Sequence, residues 1–235
     1  MLKNFLKKIV LILPNKLQIF LNFKARIGYF PNLISPKSFN EKLQYRKIHD
    51  KNLLFDICAD KFAVREYISN KIGEKYLIPL FYHGNDINKG ILLKIEEDSV
   101  VKTTHDSGSV HILKRDSKQD YDNIITSLKK SLKHDFGKMV SEPWYSNFKP
   151  SIIVEKFLCD ENGNPPKDYK FHVFKDKANT KIILQVDYDR FDGHNRTFYD
   201  ENLNVLPFSL KYPNRFREIG EVKNFNTMLE LAVEV

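Results

Sequence analysis

Two stretches of alternating side chains constrain the fold of this 235-residue chain more than any other feature. Residues 168–175 and 181–189 each alternate apolar side chains with charged or polar ones. Because successive side chains of a β-strand point to opposite faces, both stretches predict strands with one packed face and one polar face. Lys170 and Asp187 fall on the polar faces. The two strands are consecutive, which favours an antiparallel pair.

The rest of the chain predicts helices first and further strands after them. Ser38 and Glu41 have the spacing of a capping box, and the helix that they begin should run to about His49. The other predicted elements are a helix from Asp60 to Gly73, strands at 77–83 and 151–158, a strand–loop–strand unit at 98–115, a helix from Ile124 to Gly137 and a helix at 225–235. This order predicts an α+β fold rather than a doubly wound parallel sheet.

The chain is basic, with 38 Lys and Arg residues against 30 Asp and Glu residues and a formal net charge of +8. Such an excess favours polyanionic partners, among them nucleotide phosphates, acidic polysaccharides and anionic lipid headgroups, although an ordinary solvated surface explains it equally well. Nucleic acid is not an expected partner, because aromatic residues are not interleaved with the basic runs in any recognisable motif.

Residues 1–36 are basic and apolar and are punctuated by prolines, which predicts an N-terminal appendage followed by one domain over 37–235. Apolar residues between positions 2 and 13 repeat at helical spacing. Residues 1–34 could therefore lie on a membrane surface, or pack as a helix on their own domain. No stretch approaches the roughly 20 apolar residues that span a bilayer.

The two cysteines, Cys58 and Cys159, are far apart in the sequence and match no Cys/His ligand spacing. Neither a disulfide framework nor a zinc site is expected, and a reducing compartment is the simplest interpretation. We therefore expect a cytoplasmic protein, with peripheral contact to the inner membrane face through residues 1–34.

The loop within the 98–115 unit has the composition of a phosphate-binding loop. Lys102 lies in an otherwise apolar strand, where an ammonium group needs a partner. Small residues, including Ser107 and Gly108, follow it, and such residues let main-chain N–H groups approach anionic oxygens. Neither GxxxxGK[ST] nor GxGxxG is present, and a plain β-hairpin turn with a solvated lysine explains the pattern equally well.

Charged residues elsewhere are open to two interpretations each. Lys61 and Arg65 lie near the start of the second predicted helix, where ordinary surface charges are the favoured interpretation. Lys170 and Asp187 could form a floor for phosphate and its magnesium, or simply a solvated sheet face.

Residues 190–200 concentrate three basic or titratable side chains around a glycine, namely Arg190, His194 and Arg196. Arginines in such a cluster could neutralise a carboxylate or a transferring phosphoryl group. No Ser-His-Asp or Cys-His arrangement is present, and the histidines have no metal-ligand spacing.

Seven segments, taken in order, resemble the TupA-like branch of the ATP-grasp superfamily over roughly Ser35 to Asn214. TupA itself is associated with teichuronopeptide synthesis in bacterial cell walls. The segments are SPKSFNEKLQYRK, ADKFAVREYISNKIGEKYLIPL, VVKTTHDSG, IIVEKFL, DYKFHVF, QVDYDRF and RTFYD. The resemblance implies an ATP-grasp fold, in which two α+β lobes enclose a nucleotide cleft. It also implies an activity similar to that of carboxylate–amine ligases, which pass through an acyl phosphate.

The resemblance assigns roles to individual residues. Those implied to bind ATP are Lys61 and Lys102 at the phosphates, Ser107 and Gly108 in the loop over them, Glu155, Lys156 and Leu158 beside adenine, and Lys170 on the next strand. Arg190 and Arg196 are implied to be catalytic, by holding the acceptor or the acyl phosphate. The implied cofactors are ATP and Mg²⁺, and the implied acceptor is an acidic polysaccharide or a sugar carboxylate.

This chain departs from the family pattern in two places. The family's loop is richer in glycine, and Asp106 would repel phosphates unless magnesium or a lysine offsets its charge. Relatives continue into strands with an Asp and a Glu that resemble magnesium ligands, whereas this chain stops at Val235. We therefore expect a truncated C-terminal part without a complete metal site.

Three functions follow as hypotheses. The leading one is an ATP-dependent carboxylate–amine ligase that modifies a bacterial cell-surface polysaccharide. The second is a glycosyltransferase-like enzyme of capsule or lipopolysaccharide biosynthesis, for which Asp187-Tyr188-Asp189 is the only candidate DxD motif. The third is a non-catalytic protein that binds the membrane surface.

Overall fold

The fold is α+β, as the order of the sequence patterns predicts. A computed structural model describes residues 10–161, 163–189 and 193–235. The α-helices with both ends in these ranges are α1 (Asn15–Ile27), α2 (Phe39–His49), α3 (Leu54–Ala59), α4 (Ala63–Ile72), α5 (Lys89–Leu93), α6 (Tyr121–Ser131), α7 (Phe136–Val140) and α8 (Phe225–Glu234). The strands are β1 (Leu80–Gly84), β2 (Ser99–Thr103), β3 (Val110–Leu113), β4 (Ile152–Lys156), β5 (Asp168–Lys175), β6 (Thr180–Tyr188) and β7 (Asn195–Tyr199). Glu74–Tyr76 and Pro143–Ser146 are short 3-10 helices.

The described residues divide into two compact units. The first contains the described residues up to Tyr67 together with Leu77–Phe157, and the second contains Ile68–Tyr76 and Leu158–Val235. Each unit has its own antiparallel sheet and its own apolar core.

The first unit is built on a four-stranded antiparallel sheet in the order β1–β4–β2–β3. β2 and β3 are the strands of the predicted strand–loop–strand unit. The core on one face of this sheet consists of Ile87, Leu92, Val101, Leu113, Ile124, Leu128, Ile152 and Val154, which include residues of α5 and α6. Because side chains alternate along a strand, Lys102 and Glu155 lie on the opposite face from Val101 and Val154.

The second unit is built on a three-stranded antiparallel sheet in the order β5–β6–β7. The predicted alternation along β6 is confirmed on its apolar face, where Leu184, Val186 and Tyr188 are buried together with Tyr199 of β7. α8 contributes to this core through Phe225, a partly buried residue. The other face of the sheet carries the polar residues of the two alternating stretches.

The predicted capping box at the start of α2 is confirmed. The Ser38 hydroxyl accepts a hydrogen bond from the Glu41 N–H at 3.2 Å. The buried Glu41 carboxylate in turn accepts from the N–H groups of Asn32, Ser38 and Lys37 at 2.9–3.0 Å. These main-chain donors, with Asn32 the strongest, lower the pKa of Glu41 to about 2. One carboxylate therefore fixes the loop before α2 to the first turn of the helix.

The predicted helix from Ile124 to Gly137 is wrong at its C-terminal end. α6 stops at Ser131, and a separate short helix, α7, follows it. The reason is Asp135, whose carboxylate accepts from the Lys138 N–H at 2.9 Å and so caps a new helix start.

Two strand predictions also need correction. The strand predicted at 77–83 begins only at Leu80, directly after Pro79, which has no N–H group for a β-ladder. β7 is absent from the predicted strands, because the charged residues between 190 and 200 obscure its alternation.

Candidate functional site

A buried carboxylate with two cations lies on the polar face of the first sheet. Glu155 of β4 is only 6% exposed. Its Oε2 is 2.5 Å from the Lys102 ammonium group of β2, and its Oε1 accepts from Nη1 of Arg65 at 2.8 Å. The strand register explains the pairing, because Glu155 lies opposite Val100, so that Lys102 is its diagonal neighbour on the same face. One negative charge against two positive charges leaves this cluster with a positive surplus.

Lys102 retains hydrogen-bonding capacity for a ligand. A lysine ammonium group has three donors, and within the described residues only Glu155 lies within ion-pair distance of it. Arg65 is more fully engaged, since its Nη2 also donates to the Ile78 carbonyl at 2.7 Å. Lys102 is therefore the cation of this cluster that can best add an anionic partner.

The Lys61 ammonium group contacts the main chain at the β2–β3 loop. Its Nζ donates to the main-chain carbonyls of Thr103, Thr104 and Asp106 at 3.1, 3.2 and 2.5 Å. Burial lowers the pKa of Lys61, and the nearby Asp106 carboxylate partly opposes this shift. All three ammonium donors hold the β2–β3 loop, so Lys61 supports the loop in this conformation.

The Asp106 side chain points towards residues of the β2–β3 loop. Its carboxylate accepts from the hydroxyl groups of Thr103 at 2.6 Å and Ser109 at 2.5 Å, and also from the hydroxyl of Ser131 at the end of α6. Burial opposes ionisation of Asp106, but these hydroxyl donors outweigh it and lower its pKa. The Asp106 carboxylate, which the sequence predicted to repel phosphates, is therefore hydrogen-bonded by hydroxyl groups of its own loop and of α6.

The tip of this loop is open to a ligand. Ser107 and Gly108 are both exposed. Gly108 has φ of +125°, a conformation that favours glycine, and no atom lies within 4 Å of the position that a Cβ would take. No described residue accepts a hydrogen bond from the N–H of either residue. These two N–H groups have the properties needed to contact phosphate oxygens.

The predicted adenine-binding residues lie at the end of β4. The Lys156 N–H donates to the Pro79 carbonyl at 2.9 Å, and the Lys156 ammonium group pairs with Glu97 at 2.6 Å. The chain passes from the first unit to the second between Phe157 and Leu158, so Leu158 belongs to the second unit.

A second buried carboxylate organises the polar face of the other sheet. Asp187 of β6 is 1% exposed. Its Oδ1 accepts from Nε of Arg196 at 2.6 Å and Nε2 of His194 at 3.0 Å. Its Oδ2 accepts from Nζ of Lys170 and Nε2 of Gln185, both at 2.8 Å. Burial disfavours ionisation of Asp187, yet these donors outweigh it and hold its pKa well below the ordinary value.

The strand register brings the members of this cluster together. Arg196 of β7 lies directly opposite Asp187, and Lys170 of β5 is its diagonal neighbour. His194 also stacks on Tyr212, with ring centroids 3.7 Å apart. Predicted site residues Lys170 and Arg196 are thus joined through one carboxylate. Arg190, the other predicted catalytic residue, lies outside the described residues.

The sequence profile of the family described as TupA-like ATPgrasp matches residues 41–235. The chain belongs to the TupA-like ATP-grasp family. No curated protein and no solved structure matches the chain. The match confirms the family that the seven segments resemble and supports the ATP-grasp-like α+β fold.

The predicted ATP-binding residues of this TupA-like chain fall into two groups. The first unit holds Lys61, Lys102, Ser107, Gly108, Glu155 and Lys156, and the second holds Leu158 and Lys170. In the first group, the cluster around Glu155 carries a positive surplus, and Ser107 and Gly108 at the tip of the β2–β3 loop are exposed. A magnesium site is not evident among residues 10–161, 163–189 and 193–235. In these ranges no group of three or more His, Cys, Asp or Glu side chains could hold a metal ion.

The sequence interpretation missed residues that complete the two clusters. Arg65 was interpreted as a surface charge, which is wrong, because its side chain is largely buried on Glu155. Gln185 links His172 to Asp187, since its Oε1 lies 3.1 Å from the His172 ring and its amide N–H donates to the carboxylate. The only sequence signal for a role of Arg65 in the first cluster is its position one helical turn after Lys61.

Proposed function

We propose that this chain is an ATP-dependent ligase of the carboxylate–amine type, which modifies a bacterial cell-surface polysaccharide from the cytoplasmic side. Membership of the TupA-like ATP-grasp family is the observation that carries the proposal. Among the described residues no helix is both long and apolar enough to cross a membrane.

The proposed reaction has two steps. A carboxylate oxygen of the acceptor attacks the γ-phosphorus of ATP, the bond to the β-phosphate oxygen breaks, and ADP leaves. The nitrogen of an amine then attacks the acyl carbon, the bond to the phosphate oxygen breaks, and phosphate leaves while the nitrogen loses a proton. The products are an amide, ADP and phosphate.

The positive surplus of the Glu155 cluster and of the Asp187 cluster supports a role for each in binding the anionic substrates. Lys102 would bind ATP phosphates, with the N–H groups of Ser107 and Gly108 beside it. Lys170 would face the nucleotide and Arg196 would hold the acceptor or the acyl phosphate, since two cations around the single carboxylate of Asp187 leave a positive surplus. The acceptor would be acidic, such as an acidic polysaccharide or a sugar carboxylate, because the cluster around Asp187 carries a positive surplus.

Trapping of the acyl phosphate tests the proposal. The chain is incubated with Mg·ATP, a panel of uronic-acid oligosaccharides and hydroxylamine, and ADP and hydroxamate are measured. We expect equal amounts of ADP and hydroxamate with at least one acceptor, loss of both in Arg196→Gln, and no loss in the control Lys177→Gln, which alters an exposed lysine of the second unit. Release of a nucleotide from a nucleotide-sugar without consumption of ATP would instead support a glycosyltransferase and contradict the proposal.

A further inference from the structure

The charge excess of the chain is concentrated at one end. Residues 1–49 contain ten of the 38 Lys and Arg residues but only one of the 30 Asp and Glu residues, Glu41. The remaining residues hold 28 basic and 29 acidic side chains, so they are close to neutral. The whole positive excess of the protein therefore resides in this N-terminal segment.

The same segment exposes large apolar side chains. Ten of the 24 large hydrophobic residues that are exposed in the described chain lie between Ile12 and Tyr45. The most exposed of these in and beside the loop before α2 are Ile34 at 94%, Phe39 at 69% and Phe30 at 58%. Scattered single apolar residues are normal on a protein surface, but their concentration within a basic segment points to an interaction surface.

Buried contacts hold this surface in a defined shape. On α1, Ile19 and Phe23 are buried, whereas Leu17 and Leu21 lie one turn apart on an exposed face. The Lys24 ammonium group lies 5.4 Å from the ring centroid of Phe30, which joins the end of α1 to the following loop.

Glu41 fixes the rest of the loop, because it binds the N–H groups of Asn32, Lys37 and Ser38. The carboxylate of the only acidic residue of the segment is therefore hydrogen-bonded to main-chain N–H groups. It does not neutralise the lysines around it.

Three of those lysines have no acidic partner in the part of the chain that the structure describes. Within the described residues, Lys16, Lys37 and Lys42 form no ion pair, and all three are exposed. By contrast, Arg46 pairs with Asp50 and Lys47 with Glu142. Exposed apolar side chains beside unpaired lysines are the combination that binds the headgroup region of a bilayer.

We propose that α1, the loop 28–38 and α2 form a docking surface for a bilayer with anionic headgroups. The lysines would contact the headgroups, and Ile34, Phe39 and Phe30 would enter the acyl-chain boundary. A soluble polyanion, such as an acidic polysaccharide, would use the lysines but would leave these apolar side chains in water. The inference does not depend on the proposed ligase activity.

Co-sedimentation with vesicles tests this surface in the full chain. At about 0.1 M salt we expect binding to vesicles of phosphatidylcholine with 30% phosphatidylglycerol, weak binding to phosphatidylcholine alone, and release by high salt. Each lysine near an anionic surface contributes about a fivefold change in partitioning. The triple variant K16Q/K37Q/K42Q should therefore bind about a hundredfold more weakly.

The control K175Q/K177Q/K181Q removes the same charge from exposed lysines of the second unit and should bind like the wild-type chain. Equal losses in both variants would show a general charge effect and overturn the proposal. So would the absence of any binding to the anionic vesicles.

The apolar part of the surface needs its own variant. I34S/F39S should weaken vesicle binding at least tenfold without changing the net charge, whereas L210S/F216S, which alters two exposed apolar residues of the second unit, should not. Unchanged vesicle binding in I34S/F39S would overturn the proposal, because the lysines alone would then account for the binding and the apolar side chains would not enter the bilayer. Self-association of the wild-type chain that is lost in I34S/F39S, without vesicle binding, would assign the surface to a second copy of the chain and overturn it as well.

Discussion

Replacement of Glu155 by glutamine should strongly destabilise the first unit. The Glu155 side chain is 7% exposed and is the shared partner of Lys102 and Arg65. Glu155→Gln keeps the shape but leaves both cations without a counter-charge. Loss of one partner from a buried ion pair costs about 3–5 kcal/mol. Because Lys102 and Arg65 retain 21% and 16% exposure, water can partly solvate them, and we expect a loss at the lower end, about 3 kcal/mol.

Equilibrium unfolding in urea, followed by tryptophan fluorescence, measures this loss. The single tryptophan, Trp144, lies in the first unit and therefore reports on the unit that contains Glu155. The matched control is Glu97→Gln, which removes a carboxylate from the surface pair with Lys156 and should cost less than about 1 kcal/mol. Equal free energies of unfolding for Glu155→Gln and Glu97→Gln would refute the argument that Glu155 neutralises two buried cations.

Three further predictions concern other carboxylates. Asp187→Asn should cost the second unit about 3–5 kcal/mol in thermal or urea unfolding, because Lys170 and Arg196 lose their shared counter-charge. The pKa of Glu41 in the folded protein is depressed to about 2, so its stabilising effect should be complete above pH 4.5 and should decline as the pH falls towards 2. The free energies of unfolding of the wild type and of Glu41→Gln, measured across this pH range, should therefore converge at its acid end. Asp106→Ala should accelerate hydrogen exchange in the β2–β3 loop at least tenfold, whereas Asp116→Ala should not.

Local patterns were sufficient to predict much of the fold. The capping box of Ser38 and Glu41 and the alternation in β5 and β6 depend on neighbours in sequence, and the structure confirms them. The end of α6 could not be predicted in the same way. Apolar spacing continues past Ser131, and only the side-chain cap at Asp135 decides that a new helix starts there.

The site was harder to predict because its contacts are long-range. The need of Lys102 for a partner was visible in the sequence, but the identity of that partner follows from the register of β2 and β4. The burial of Arg65 follows from its contacts with Glu155 and the Ile78 carbonyl, and the Lys61 donors are used by main-chain carbonyls more than 40 residues away in the sequence, so the residues around position 61 could not show either.

Calorimetric titration of the full chain with a non-hydrolysable ATP analogue and Mg²⁺ tests the central claim most directly. We predict binding of one analogue per chain, and an affinity that falls about 10- to 100-fold in Lys102→Met, since a hydrogen bond to a charged group is worth about 1.5–3 kcal/mol. Lys175→Met, an exposed lysine of the second unit, should bind like the wild type. Absence of binding by the wild-type chain, or equal affinities for wild type and Lys102→Met, would contradict the account of Lys102 as the phosphate-binding lysine of a TupA-like ATP-grasp protein.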